Sequence, residues 1–235
     1  MPGCKAYNHA KMARPPLLLG HRGARASASV AENTLASFDL ALKHGCDGFE
    51  FDVRLTGCEC AVICHEPKVR GVTVSKARTG QLSDLPTVQD VLARFAKRAF
   101  LDIELKVPGL ASQVLVALRE HPPQRGYVVS SFLPDVLFEL SIRSSSIPLG
   151  MICENRKQLQ RWGDLPLLYV IPEYSLITAE LVQQVHQAGR LLLAWTVNDK
   201  SAMLRLAEWG VDGIISDKTE LLVRTLRPRS RSTPS

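Results

Sequence analysis

Eight short β-rich runs, nearly all followed by a helical pattern, succeed one another between residues 17 and 226. The strand-like runs fall at 17–20, 48–53, 100–106, 127–130, 149–153, 168–171, 191–197 and 213–216. Apolar residues at helical spacing mark helices at 34–44, 88–95, 110–120, 135–143, 155–162, 179–188, 201–209 and 220–226. Eight β/α units in this length is the count of a closed (β/α)₈ barrel, the TIM-barrel form of the α/β class. A doubly wound open sheet usually carries a glycine-rich phosphate loop, and neither GxGxxG nor GxxxxGK[ST] occurs. One extra run, 61–64, makes a hairpin with the second strand, and residues 66–86 read as a short cap inserted before the next helix.

An internal echo supports the barrel. Residues 45–52 read GCDGFEFD and residues 210–217 read GVDGIISD, both fitting GxDGxxxD. Each reads as a helix stop, a tight loop, a strand, and an Asp at the strand's C-terminal end. Chance likeness between short loops is the alternative. Asn33 is placed to cap the first helix and Gly45 to stop it.

The net charge of +6 narrows the function only once it is located. Lys5, Lys11 and Arg14 lie in residues 1–16, and Arg227, Arg229 and Arg231 in residues 227–235, with no acid in either end. The intervening 17–226 therefore nets to zero, and the ends read as disordered, solvated tails around a single domain. A nucleic-acid-binding domain concentrates its charge on a folded face, so no specific nucleic-acid partner is expected. No stretch is long and apolar enough to span a membrane, so no stable membrane insertion is expected. The only apolar run near the N-terminus is residues 17–19, too short for an export signal, and a cytoplasmic protein is expected. Six cysteines are too sparse for a disulfide scaffold. Cys58, Cys60 and Cys64 share a strand face by spacing, but with no CxxC pair and no fourth ligand they read as structural thiols.

In such a barrel the active site lies at the C-terminal ends of the strands. His21 and Arg22 follow the first strand, Glu50 and Asp52 sit on the second, His65 ends the hairpin, and Glu104 and Lys106 sit on the third barrel strand. Side chains two apart on a strand share a face. Phe49, Phe51, Ile103 and Leu105 would then face the helices, leaving Glu50 with Asp52, and Glu104 with Lys106, turned into the barrel mouth. Three carboxylates buried together repel one another and resist ionisation. One divalent cation, Mg²⁺ or Ca²⁺, would resolve this with an all-oxygen ligand set; ion pairs with Arg22 and Lys106 are the alternative. His21 and His65 can divide acid and base roles near neutral pH, though either could be a structural hydrogen-bonder. An Arg fork and a Lys beside a divalent metal suit a phosphoryl group. The reading from residues is metal-assisted phosphoester hydrolysis.

At these residues the chain resembles the glycerophosphodiester phosphodiesterase family. GHRGARASASVAENTLASFDLALKHGCDGFEFDVRLT carries an HRG…ENT…ExD pattern, followed by CHEP, LDIELK, AWTVN and GVDGIISD. The resemblance spans residues 17–226. It implies a (β/α)₈ barrel that hydrolyses small-molecule glycerophosphodiesters to glycerol 3-phosphate and an alcohol. It implies His21 and His65 as general base and acid, Glu50, Asp52 and Glu104 on a divalent metal, and Arg22 and Lys106 on the phosphate. Glu32 and Asn33 would lie at the edge of the site, and Trp195 at the barrel mouth, where core packing is its alternative. Three departures stand out: Glu66 where Asp is usual, Gly57-Cys58-Glu59-Cys60 in place of an Asp-Gly hairpin turn, and a compact 66–86 segment. A lysophospholipase D and a non-catalytic phosphate-binding barrel are the rival functions; the oligomeric state is not legible.

Overall fold

The computed structural model describes residues 15–227. Among these, eight parallel strands close into a barrel: β1 (Leu17–Gly20), β2 (Gly48–Leu55), β6 (Phe100–Leu105), β7 (Tyr127–Ser131), β8 (Leu149–Cys153), β9 (Tyr169–Pro172), β10 (Leu191–Ala194) and β11 (Gly213–Ser216). Pairing runs β1-β11-β10-β9-β8-β7-β6-β2, and the β1–β2 pairing closes the ring. Helices α1 (Leu35–His44), α2 (Val88–Phe95), α3 (Ala111–Glu120), α4 (Pro134–Arg143), α5 (Arg156–Leu159), α6 (Ala179–Gln187), α7 (Lys200–Trp209) and α8 (Thr219–Leu226) form the outer layer. The expected barrel is therefore present, with its hairpin: β3 (Ala61–Ile63) pairs antiparallel to β2. In the cap, β4 (Lys68–Val69) pairs with β5 (Val72–Thr73), a hairpin the sequence pattern does not announce.

Several element boundaries differ from those expected. The helix expected over 155–162 ends at Leu159, and a separate 3₁₀ turn covers Trp162–Asp164. The strand expected over 191–197 ends at Ala194. Asn33 does not cap α1. Thr34 does, its hydroxyl accepting from the Ser37 N–H at 3.1 Å. Asn33 adopts φ 55° and spends its side chain on Asp52 instead, a left-handed conformation Asn tolerates better than most residues.

Two layers of apolar packing hold the barrel. Phe49, Phe51, Ile103 and Leu105 are fully buried against the helices, as strand parity requires. Phe38 of α1 stacks on Phe49 at 4.3 Å, and Phe95 of α2 meets Phe49 edge-on at 5.0 Å. Inside the barrel, Leu19, Phe100, Val128, Ile152, Tyr169, Ile171, Leu193 and Ile215 form an apolar plug. Gly150 makes room for it, since a Cβ there would lie 2.8 Å from Val128 and Ile171.

The GxDGxxxD echo is structural at both of its ends. Asp47 donates its N–H to Leu18 O and accepts from the Leu18 N–H, each at 2.8 Å. Asp212 makes the same two bonds with Leu192, each at 2.8 Å. These aspartates pin the bottom of the barrel, while Asp52 and Asp217 stand at the top. Arg227, grouped with the C-terminal tail by charge, holds both oxygens of Asp47 at 2.9 and 2.6 Å. Of the other residues read as tails, 1–16 and 228–235, only Pro15 and Pro16 are among the described residues, where they form no helix or strand.

Candidate active site

The C-terminal ends of the strands enclose a cavity of about 250 Å³, lined by His21, Arg22, Glu50, His65, Glu104, Lys106 and Trp195 among others. Asp52 is not among the lining residues but lies beside Glu50 and Glu104, 1% exposed. Glu32 and Asn33 stand behind the wall, touching Arg22 and Asp52 respectively.

The turn after β1 is fixed by its neighbours. Gly23 has φ 80°, and any side chain there would drive into Ser37, whose hydroxyl donates to Arg22 O and accepts from the Ala24 N–H. That anchors His21 and Arg22 over the barrel. His21 Nδ1 lies 2.7 Å from Asp217 Oδ1, so its Nε2 is the nitrogen directed toward Glu50, at 3.8 Å. Asp217 also accepts from Asn198 at 2.6 Å and from Arg25 at 3.2 Å. Burial opposes ionisation of Asp217, but the His21 hydrogen bond and charge, with Asn198 and Arg25, hold its carboxyl well below the usual range. His65 Nδ1 pairs with Glu66 Oε1 at 2.8 Å, so the longer acid still reaches the ring. Arg54 clamps His65 O at 2.7 Å.

The carboxylates differ sharply. Asp52 accepts from Asn33 Nδ2 at 2.8 Å and has Arg22 Nε at 3.1 Å and Lys106 Nζ at 3.4 Å as ion-pair neighbours, while its Oδ1 makes no hydrogen bond. Burial pushes its pKa up, but Lys106, Arg22 and Asn33 outweigh that and lower it. Glu104 has Lys106 at 2.5 Å, yet burial and Asp52 raise its pKa to about 7. Glu50 accepts the Arg22 N–H at 2.9 Å through Oε2, while its Oε1 is buried with no hydrogen-bond partner. Burial first, then Asp52, Glu104 and Asp102, push the Glu50 carboxyl well up. The Arg22 and Lys106 side chains, the alternative to a metal, reach Asp52 and Glu104 as ion pairs but not Glu50, and one oxygen of each of the three carboxylates is buried with no hydrogen bond.

Glu50, Asp52 and Glu104 each offer an oxygen within 4.8 Å of the others, a potential metal-binding triad. The orphaned Glu50 oxygen and the all-carboxylate donor set fit a hard divalent cation.

Trp195 faces the opposite side. Its indole N–H donates to Ile171 O at 3.0 Å, and Phe132 meets it edge-on at 5.3 Å. Sequence reasoning missed Phe132 and Glu154, which also line the cavity. It missed Asp102, which sits two residues before Glu104 on the same face. Asp102 accepts from Ser130 at 2.5 Å, and burial raises its pKa to about 7. Strand parity alone could have found it. The echo had marked Asp217 without giving it a partner.

The sequence profile of the glycerophosphoryl diester phosphodiesterase family matches residues 21–94 and 80–221. The chain belongs to that family. A glycerophosphodiester phosphodiesterase of Caldanaerobacter subterraneus subsp. tengcongensis is 28% identical over 241 residues, covering 90% of this chain and 98% of the relative. One of Bacillus subtilis is 26% identical, covering 87% and 84%. Among solved structures, a phosphodiesterase of Oleispira antarctica in complex with the product sn-glycerol 3-phosphate superposes with a TM-score of 0.77 at 25% identity, covering 90% and 96%. The glycerophosphodiester phosphodiesterase of Thermotoga maritima shares the fold, with a TM-score of 0.77 at 24% identity, covering 90% of this chain and 98% of that one. Among the described residues, no helix is long and apolar enough to cross a membrane.

Proposed function

We propose that this phosphoric diester hydrolase cleaves glycerophosphodiesters to glycerol 3-phosphate and an alcohol, within one barrel domain spanning residues 17–226 and in the cytoplasm. The observation that carries the reading is one cavity lined by His21, His65, Arg22, Lys106, Glu50 and Glu104, with Asp52 grouped beside the last two within 4.8 Å. Family membership supports the reaction class, and the product-bound relative supports the substrate class.

His21 acts as general base. Asp217 on Nδ1 fixes the tautomer and leaves Nε2 to take the proton of the attacking oxygen. His65 protonates the leaving alcohol, and Glu66 holds its ring. A divalent cation on Glu50, Asp52 and Glu104, Mg²⁺ or Ca²⁺, would stabilise the charge that builds on the phosphoryl group. Arg22 and Lys106 bind the phosphate from the same wall, exchanging part of their carboxylate pairing for it. Phe132 and Trp195 pack the opposite side and keep bulk water from the reacting bond.

The test is release of glycerol 3-phosphate from glycerophosphocholine and glycerophosphoethanolamine, with Mg²⁺, with Ca²⁺ and with excess EDTA. Release that EDTA abolishes is the expected result. Release from lysophospholipids alone would replace the substrate class, and no release from either would leave a phosphate-binding barrel.

A further inference from the structure

At the tip of the β2–β3 hairpin, away from the cavity, two thiols face each other. Cys58 Sγ and Cys60 Sγ are 3.8 Å apart. The turn that joins them is ordered by Thr56: its N–H donates to Cys60 O at 3.0 Å, its hydroxyl accepts from the Cys60 N–H at 2.9 Å, and its O accepts from the Glu59 N–H at 3.0 Å. Glu59 between them takes φ 62°, the left-handed kink that brings side chains two residues apart to the same side of the turn. Cys60 is exposed and Cys58 partly so. The other described cysteines, Cys46, Cys64 and Cys153, are buried, and burial drives their thiols up to about 12, 11 and 12. Cys58 moves the other way. Hydrogen bonds, chiefly from Thr56 at 3.2 Å and then from Cys60 and Thr79, lower its pKa, while Cys60 is raised by sharing that proton. A partly exposed, acid-shifted thiol beside a second, exposed thiol is the arrangement of a nucleophilic and a resolving cysteine.

We propose that Cys58 and Cys60 form a reversible dithiol–disulfide pair, oxidised by low-molecular-weight disulfides such as oxidised glutathione. This replaces the structural-thiol reading for these two cysteines. The Cys58 thiolate attacks one sulfur of the small disulfide, forming a mixed disulfide and expelling one small thiolate, which takes up a proton. Cys60 then loses its proton and attacks the Cys58 sulfur, closing Cys58–Cys60 and expelling the second small thiol. Two electrons leave the protein and reduce the small disulfide to two thiols. Closure brings the sulfurs from 3.8 Å to about 2.05 Å, a movement the short exposed turn can make without touching the barrel.

The experiment uses the full chain in a C4S background, treated with oxidised glutathione, trapped with a maleimide while folded, and read by intact mass and peptide mapping. The expected product is lighter by about 2 Da, has both thiols blocked to maleimide, and reverts with dithiothreitol. C60S should stop at one glutathione on Cys58, and C58S should react at least ~10-fold more slowly at neutral pH. Both variants should keep the parent's hydrolytic rate, since neither thiol lines the cavity. Free alkylation of both thiols after oxidation, two stable glutathione adducts on the parent, or no adduct on Cys58 in C60S would each overturn the proposal.

Discussion

The ends of β1, β2 and β6 give the barrel mouth His21, Arg22, Glu50, Asp102, Glu104 and Lys106, whereas β8 to β11 and the loop after β7 give it Ile152, Ile171, Trp195, Ile215 and Phe132, with Glu154 after β8 as the single charge among the lining residues of that side. The charged wall is energetically unfavourable to the fold. Burial and mutual repulsion raise the Glu50 and Glu104 pKa values, and a Glu50 oxygen has no hydrogen-bond partner. The apolar wall is favourable, merging downward into the plug of the barrel. A chain selected for stability alone would continue the plug around the whole ring. Under the proposed function, chemistry belongs to one wall and substrate shape and stability to the other, so substitutions on the two should separate turnover from folding.

The largest effect is expected from His21→Ala and His65→Ala, each lowering kcat by about 10²–10⁴-fold; His65→Ala should leave the melting temperature nearly unchanged, while His21→Ala also gives up the hydrogen bond to Asp217 and should lower it. Steady-state assays beside thermal melts check both halves. Next, Asp217→Asn keeps a hydrogen-bonding side chain against His21 but removes the charge, and kcat should drop about 10–100-fold. Equal activity in that variant would make Asp217 a structural residue. On the other wall, Trp195→Ala and Phe132→Ala break the edge-on pair and its packing. They should cost about 1–3 kcal/mol of stability and raise KM several-fold, with kcat within a small factor of the parent. A kcat loss as deep as that of the histidine variants would erase the division between the walls.

The smallest effect is a slope with pH. Asp102 and Glu104 are raised to about 7, so in EDTA the folded state holds more protons than the unfolded chain between about pH 4 and 7. Stability therefore falls as pH rises through that window and levels above it. Asp217 has the opposite sign: its depressed pKa contributes stability above the unfolded value of about 3.9, lost only as pH falls toward its folded value. Melts in EDTA from pH 4 to 8 read the combined slope.

The charged wall was the more legible of the two in the sequence. Alternation along β2 and β6 places Glu50, Asp52, Glu104 and Lys106 on one face by geometry that does not depend on the rest of the chain. The same alternation carried one step back reaches Asp102. Phe132 and Glu154 could not be read this way. They lie beyond the ends of β7 and β8, and only the closure of the ring decides which loop residues converge. Asn33 shows a subtler loss: the N-cap preference was sound for that stretch, but Thr34 could serve as the cap while Asn33 met Asp52, a contact 19 residues away in sequence. The early end of the expected 155–162 helix at Leu159 left no local mark either.

The central claim is that the charged wall is unfavourable to the bare fold because it is shaped for a divalent cation. Its most direct test is the melting temperature of the wild type and of Glu50→Gln at pH 7.5, in EDTA and with Mg²⁺ or Ca²⁺ added. The cation should raise the wild-type melting temperature. Glu50→Gln should melt at or above the EDTA wild type and gain little from the cation. Equal gains in both proteins, or no gain in the wild type with either ion, would contradict that claim.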